Sequence, residues 1–163
     1  MRLYAGLDEE LLRLERVVES ANKAVGFALY DGAALAASAV AAACRELPVD
    51  TEFPVHPFDS AMRTVTAKDR EELAAGVGIS HHFDTNDGRG VSISIDGYST
   101  RKEKRFPNGV PLPLIARSIE SGSSVRQKVP FIRRAERACA NAVIAAMEAT
   151  GNRILEEAAG GES

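Results

Sequence analysis

Apolar residues recur at Leu7, Leu11, Leu14, Val18, Ala21 and Val25, in alternating steps of four and three. That spacing keeps them on one stripe of an α-helix, because about 3.6 residues complete a turn. Asp8, Glu9 and Glu10 stand at the expected start, where carboxylates favour the positive end of the helix dipole. Beyond Asp31-Gly32, a pair that would kink or weaken a helix, the run AALAASAVAAAC resumes with strong helix propensity. Pro48 sets the limit, since a residue preceding proline is pushed out of the helical region. A continuous helix over 8–46 would be roughly 58 Å long at about 1.5 Å per residue, which is long for so small a chain.

The 163 residues suffice for one domain with a real core and are too few for two of ordinary size, so a single domain over 1–163 is expected. An apolar fraction of 45% and a charged fraction of 26% are those of a globular chain rather than a disordered or fibrous one. No run approaches the ~20 consecutive apolar residues that span a bilayer, and the longest uncharged stretch, 32–44, is alanine-rich. The N-terminus turns acidic at once and offers no apolar signal core, so neither a cleaved leader nor a membrane partner is expected. Cys44 and Cys139 each sit on an alanine-rich helical face and read as small buried hydrophobes in a reducing compartment.

Residues 49–60 carry two prolines without periodicity and read as an extended connector, and 62–67 as a possible short strand. The segment 69–80 begins like a helical turn and gives way to strand-like alternation at Val77-Gly78-Ile79-Ser80. A clearer strand follows, with Val91, Ile93 and Ile95 on one face and Ser92, Ser94 and Asp96 on the other. The turn formers Asn86-Asp87-Gly88 between them predict a hairpin. Leu112 to Ile119 reads as a short helix. Pro130, a residue favoured at the first helical position, opens a last helix that keeps Ile132, Ala135, Cys139, Ala142, Val143 and Ala146 on one side, and 158–163 should fray. The order of elements predicts an α+β domain, a small antiparallel β-sheet packed against a long N-terminal helix and a C-terminal helix.

Signals for chemistry are sparse. His81, His82, Asp84 and Asp87 have metal-ligand side chains, but adjacent histidines on a strand point to opposite faces. A calcium loop starting at Asp84 would need a bidentate Glu at its twelfth position, which is Ile95. A turn with solvated histidines is therefore expected, with no metal, cofactor or catalytic residue. There is no Gly-Lys-Ser/Thr phosphate loop and no G-x-S-x-G nucleophile turn.

Charge is unevenly placed. Between Ser99 and Arg137 ten Lys/Arg face three Glu, a block of +7, which leaves ten basic against twenty acidic residues, −10, in the remainder. Such polarity suits a molecule that meets a copy of itself, a charged neighbour or a polyanion. The runs RKEKR and IRRAER could contact phosphates, yet only Phe106 and Phe131 lie nearby for stacking and no nucleic-acid reader motif is present.

The stretch RSIESGSSVRQKVPFIRR, residues 117–134, joins a short apolar element to the last helix through a Gly/Ser loop. A loop of that kind at a helix N-terminus can bind an anion, or serve as punctuation, or face another protein. With its flanks it resembles the C-terminal part of a family of small morphogenesis proteins of long-tailed phages, called minor tail component, neck or tail-completion proteins. The resemblance lies in Ile119-Glu120, Gly122-Ser123, Pro130-Phe131-Ile132-Arg133 and the following helix through Met147, and in the opening GLDEELLRLERV; the middle matches by pattern alone. Ser121, between Glu120 and Gly122, and the length of the basic loop 101–105 depart from the family pattern.

The resemblance implies a non-enzymatic virion protein, made in the host bacterial cytoplasm, that forms a ring, hexameric by analogy, at the junction of DNA-filled head and tail. Its partners would be neighbouring neck, head-closure or tail-tube proteins, with possible contact to packaged DNA. The loops 99–109 and 121–129 are the expected mobile contact elements, ordered on assembly. The expected interaction residues are Arg101, Lys102, Lys104 and Arg105 in the first, and Glu120, Gly122, Ser123, Arg126, Lys128, Phe131, Arg133 and Arg134 around the second. Phe131 should also anchor the last helix in the core. A nucleic-acid-binding accessory protein using the 99–137 block is the alternative.

Overall fold

The computed structural model describes residues 3–49, 65–86, 88–123 and 128–160, and in it the N-terminal apolar stripe belongs to one unbroken helix, α1 (Leu3–Arg45). Its 43 residues make it about 64 Å long. It begins ahead of the expected start, so Asp8, Glu9 and Glu10 fall beyond its first turn, which holds no acid. Most of the expected connector and strand, 50–64, lies outside the described residues; of the rest, Val65 makes an isolated bridge to Val49, and Thr66 caps a helix that begins at Ala67 instead of continuing a strand.

Gly32 does not kink α1. Its missing Cβ lets the last helix, α4 (Phe131–Gly160), approach closely: a Cβ at 32 would stand 2.6 Å from Met147 Cγ, 2.8 Å from its Sδ and 3.2 Å from Val143 Cγ1. The helices run antiparallel. Thr150 Oγ1 donates to Asp31 Oδ2 at 2.6 Å, while at the other end Phe131, Ala135 and Ala138 lie beside Ala39, Ala43 and Leu47. Helix α4 starts one residue after Pro130, whose carbonyl accepts from Arg134 N, and it continues to Gly160 through residues expected to fray. Gly160 is ten residues past Thr150, and equal rise in both helices puts it level with about residue 21 of α1. The first part of α1 therefore extends past the end of α4.

The middle of the chain builds on the C-terminal half of α1. Helix α2 (Ala67–Ala75) begins with a reciprocal cap, Thr66 Oγ1 accepting from Asp69 N at 3.0 Å and Asp69 Oδ2 accepting from Thr66 N at 3.2 Å. Strand β1 (Val77–Ile79) pairs antiparallel with β4 (Ile93–Ile95) in the register Val77↔Ile95, Gly78↔Ser94, Ile79↔Ile93. Inside this pair lies a second one, β2 (Phe83–Thr85) with β3 (Gly88–Gly90). The expected hairpin is thus two nested two-stranded ladders. Helix α3 (Leu112–Ser121) buries Leu112, Ile115, Ala116 and Ile119 on one face. The whole is α+β, with α1 packed along α4.

The core gathers Val40 and Cys44 from α1, Leu47 just past its end, Leu73 from α2, Ile115 and Ile119 from α3, and Phe131 from α4. Phe131 is 3% exposed, as its expected anchoring role requires. Burial pushes the Cys44 thiol up to about 11, with Arg45 pulling the other way, while Cys139 is only partly buried. By length and composition alone 11–45 is apolar enough to cross a membrane, a property the sequence reading did not anticipate. In this fold the C-terminal half of that span is the central core helix.

The close approach at Gly32 sets a test. Gly32→Val should cost about 1–3 kcal/mol through overpacking against Met147 and Val143, read as a lower urea midpoint. An unchanged midpoint would mean that α4 does not lie against α1 there.

Candidate functional site

The stretch between α3 and α4 is closed on itself by backbone bonds. Val129 N donates to Ile119 O at 2.8 Å, which brings the end of the connecting segment back to the end of α3. Gly122, at φ +76°, makes the turn in the left-handed region that side chains disfavour, and a Cβ there would lie 3.0 Å from Lys128 Cβ. Glu120 reaches across the gap: its Oε2 accepts from Ile132 N at 2.9 Å and its Oε1 from Arg133 N at 3.4 Å, with Arg133 Nε 3.7 Å away. The N-terminus of α4, where a phosphate could have docked, is thus filled by a carboxylate from the same chain.

The basic loop 99–109 is tied down rather than loose. Ser99 N donates to Val110 O, Val110 N to Arg101 O, and Glu103 and Phe106 exchange both backbone bonds across the tip. Thr100 is latched to α2, donating through N at 3.1 Å and through its hydroxyl at 2.5 Å to Glu72 Oε1. Arg101 turns inward, its guanidinium 3.7 Å from the buried Asp69 carboxylate and 3.3 Å from Glu103. Lys102, Lys104 and Arg105 stay exposed, with Arg105 over the Phe106 ring at 5.6 Å. Burial pushes the Glu72 carboxyl up, but the hydrogen bonds from Thr100, with help from Ser99 and Lys68, outweigh it and hold the group below its ordinary value of 4.5.

The expected interaction residues therefore separate by role. Lys102, Lys104, Arg105 and Lys128 face solvent; Arg133 is outward but paired with Glu120; and Arg134 Nε donates to Pro130 O at 3.3 Å. Phe131 and Arg101 act from inside, one in the core and the other against Asp69. Glu120 and Gly122 shape the turn, Ser123 is exposed, and Arg126 lies outside the described residues. Among the histidines, His82 docks on α1, its Nε2 3.2 Å from Gly26 O and its ring edge-on to Tyr30, whereas Asp84 pairs with Arg89 and Asp87 lies outside the described residues. Among the described residues no three His, Cys, Asp or Glu side chains gather as metal ligands.

Two apolar features had no functional reading in the sequence. A cavity of about 750 Å³ lies between α1, β4, α3 and α4, lined by Val40, Ile95, Ala116, Ile132, Ala140 and Val143 among others. The second is the stripe itself. Leu11, Leu14, Val18 and Val25 are 49–59% exposed; Leu12 and Val17 are exposed off either edge of the stripe, and Phe27 on the opposite side of the helix. Their periodicity marks an apolar face, and Leu11, Leu14 and Val18 of it lie beyond the end of α4. No family model, curated protein or solved structure matches the chain.

Two variants test the local chemistry. Glu120→Ala should cost about 1–2 kcal/mol in a urea melt, the scale of a lost helix cap, and Glu120→Gln, which keeps an acceptor, should cost less; no loss in either would discard the cap. Because the folded Glu72 carboxyl titrates below its unfolded value, its contribution is present above about pH 4.5 and disappears as pH falls through the folded value. Glu72→Gln should therefore lower the urea midpoint at pH 7, and the loss should shrink as pH falls below about 4.5; a loss that stays the same down to acid pH would remove ionisation from the explanation.

Proposed function

We propose that this protein is a structural assembly protein of the head-tail junction of a long-tailed bacteriophage or prophage, and that it works by forming a ring and docking to its neighbours rather than by catalysis. The observation that carries the assembly reading is the bare apolar stripe of α1, with Leu11, Leu14 and Val18 all more than half exposed on a helix that runs past its packing partner. A rigid contiguous apolar face of this kind is what an interaction surface offers. The phage assignment rests on the residues resembling neck and tail-completion proteins, Glu120, Gly122-Ser123 and Pro130-Phe131-Ile132-Arg133. Glu120, Gly122 and Phe131 hold the turn and start of α4, a structural role in keeping with their place in that motif.

On this reading the ring is hexameric by analogy, sits in the virion, and meets neck, head-closure or tail-tube proteins, with the basic loop available to packaged DNA. The exposed Lys102, Lys104 and Arg105 favour the second reading, a nucleic-acid-binding accessory protein. Light scattering after size exclusion, with a parallel DNA titration over salt, separates the two. A discrete closed oligomer is expected, near 104 kDa for six copies of 17.4 kDa, with little affinity for DNA. A monomer that binds DNA and loses it steeply with salt would transfer the assignment to the accessory reading.

A further inference from the structure

The stripe on the α1 overhang has a predominantly acidic border. Around the helix Leu11, Leu14 and Val18 occupy one face, with Glu15 and Glu19 along one edge, Glu19 paired with Lys23 at 2.8 Å. From Asp8 to Lys23 five acids face three bases, a net −2. A second exposed apolar patch lies elsewhere on the molecule and carries the opposite charge. Tyr98 is 67% exposed and Leu114 49% exposed. Tyr98 bridges to Pro111, whose carbonyl accepts from Leu114 N at 3.1 Å, so the backbones of Tyr98 and Leu114 both adjoin Pro111. Arg117 follows Leu114 by one helical turn on the same face, and the loop bearing Lys102, Lys104 and Arg105 leaves and returns beside Tyr98.

We propose that the acid-bordered stripe of the α1 overhang docks on the Tyr98–Leu114 patch and its basic surround in a second copy of this chain, head to tail. This rests on the assembly reading above and names the surfaces that reading needs. Charge decides the occupant. Stripe against stripe would set Glu15 and Glu19 of one copy near the same carboxylates of another, and like charges across an interface oppose association. An anionic bilayer or a nucleic acid would meet the same acidic border. The basic patch offers the complementary potential, and every copy carries both halves. Two different surfaces meeting in this way form a heterologous contact, which closes into a ring when the rotation between copies permits. Loop 99–109, fastened to α2 by Thr100–Glu72 and to Asp69 by Arg101, would present its outward cations without first having to order.

The test uses the full chain in sedimentation velocity across concentration. Glu15→Lys with Glu19→Lys should weaken association at least ~10-fold, as should Lys104→Glu with Arg117→Glu, and all four changes together should recover most of it, as charge reversal on both sides restores complementarity. Leu14→Asn should also weaken association ~10-fold while circular dichroism retains the helix content. If wild type associates but either charge set leaves it unchanged, or the fourfold variant does not recover, the proposed surfaces are wrong and the assembly reading stands. If Leu14→Asn weakens association and Lys104→Glu with Arg117→Glu does not, the stripe meets something other than the basic patch and the proposal falls. A wild type that stays monomeric at every concentration, or only binds phosphatidylcholine vesicles, would overturn both.

Discussion

The close seam between α1 and α4 governs the rest of the structure. Small residues make it possible: Gly32 admits Met147 and Val143, and Ala39 and Ala43 admit Ala135 and Ala138. At such separations the gain is dispersion spread over many atom pairs, sensitive to a single added methyl group. The seam also sets the position of α4 along α1. Phe131 then falls beside Leu47 in the core, and the first turn of α4 arrives where Glu120 can bond to it. The same alignment leaves the N-terminal part of α1 beyond the reach of α4.

Acids inside the fold determine which cations remain outside it. Glu120 takes Arg133 together with two backbone donors, and Asp69 and Glu103 draw Arg101 inward. The exposed positive surface that remains is carried by Lys102, Lys104, Arg105, Arg117, Lys128, Arg134 and Arg137. Because loop 99–109 is held by its own hydrogen bonds, those charges occupy a defined place rather than sweeping a volume. A fixed charge pattern suits register and partner choice more than general adhesion.

The loop at 121–129 had three physical readings, an anion site, a joint or a face for another protein. Occupation of the α4 N-terminus by Glu120 favours the joint, since a carboxylate already satisfies the backbone donors that an external phosphate would use. Gly122 supports this by bringing Lys128 back against the end of α3. Glu120 and Gly122 thus have a mechanical role inside one chain.

Periodicity made α1, α3 and α4 legible in the sequence, because a helix repeats on a local scale that neighbouring residues already express. Alternation at Ile93 and Ile95 and the turn formers at 86–88 gave the hairpin for the same reason, and the apolar character of Phe131 after Pro130 gave its burial. Long-range geometry was beyond that scale. Nothing near Gly32 in the chain announces Met147, nothing near Glu120 identifies Ile132 N as its donor, and Arg101 could not be told from Lys102 until Asp69 was brought beside it. The apolar stripe is the sharpest case. Residues 7–25 by themselves determine that one face of a helix is apolar, whereas only the length and alignment of α4 leave Leu11, Leu14 and Val18 beyond its reach, because burial depends on what arrives from elsewhere in the chain.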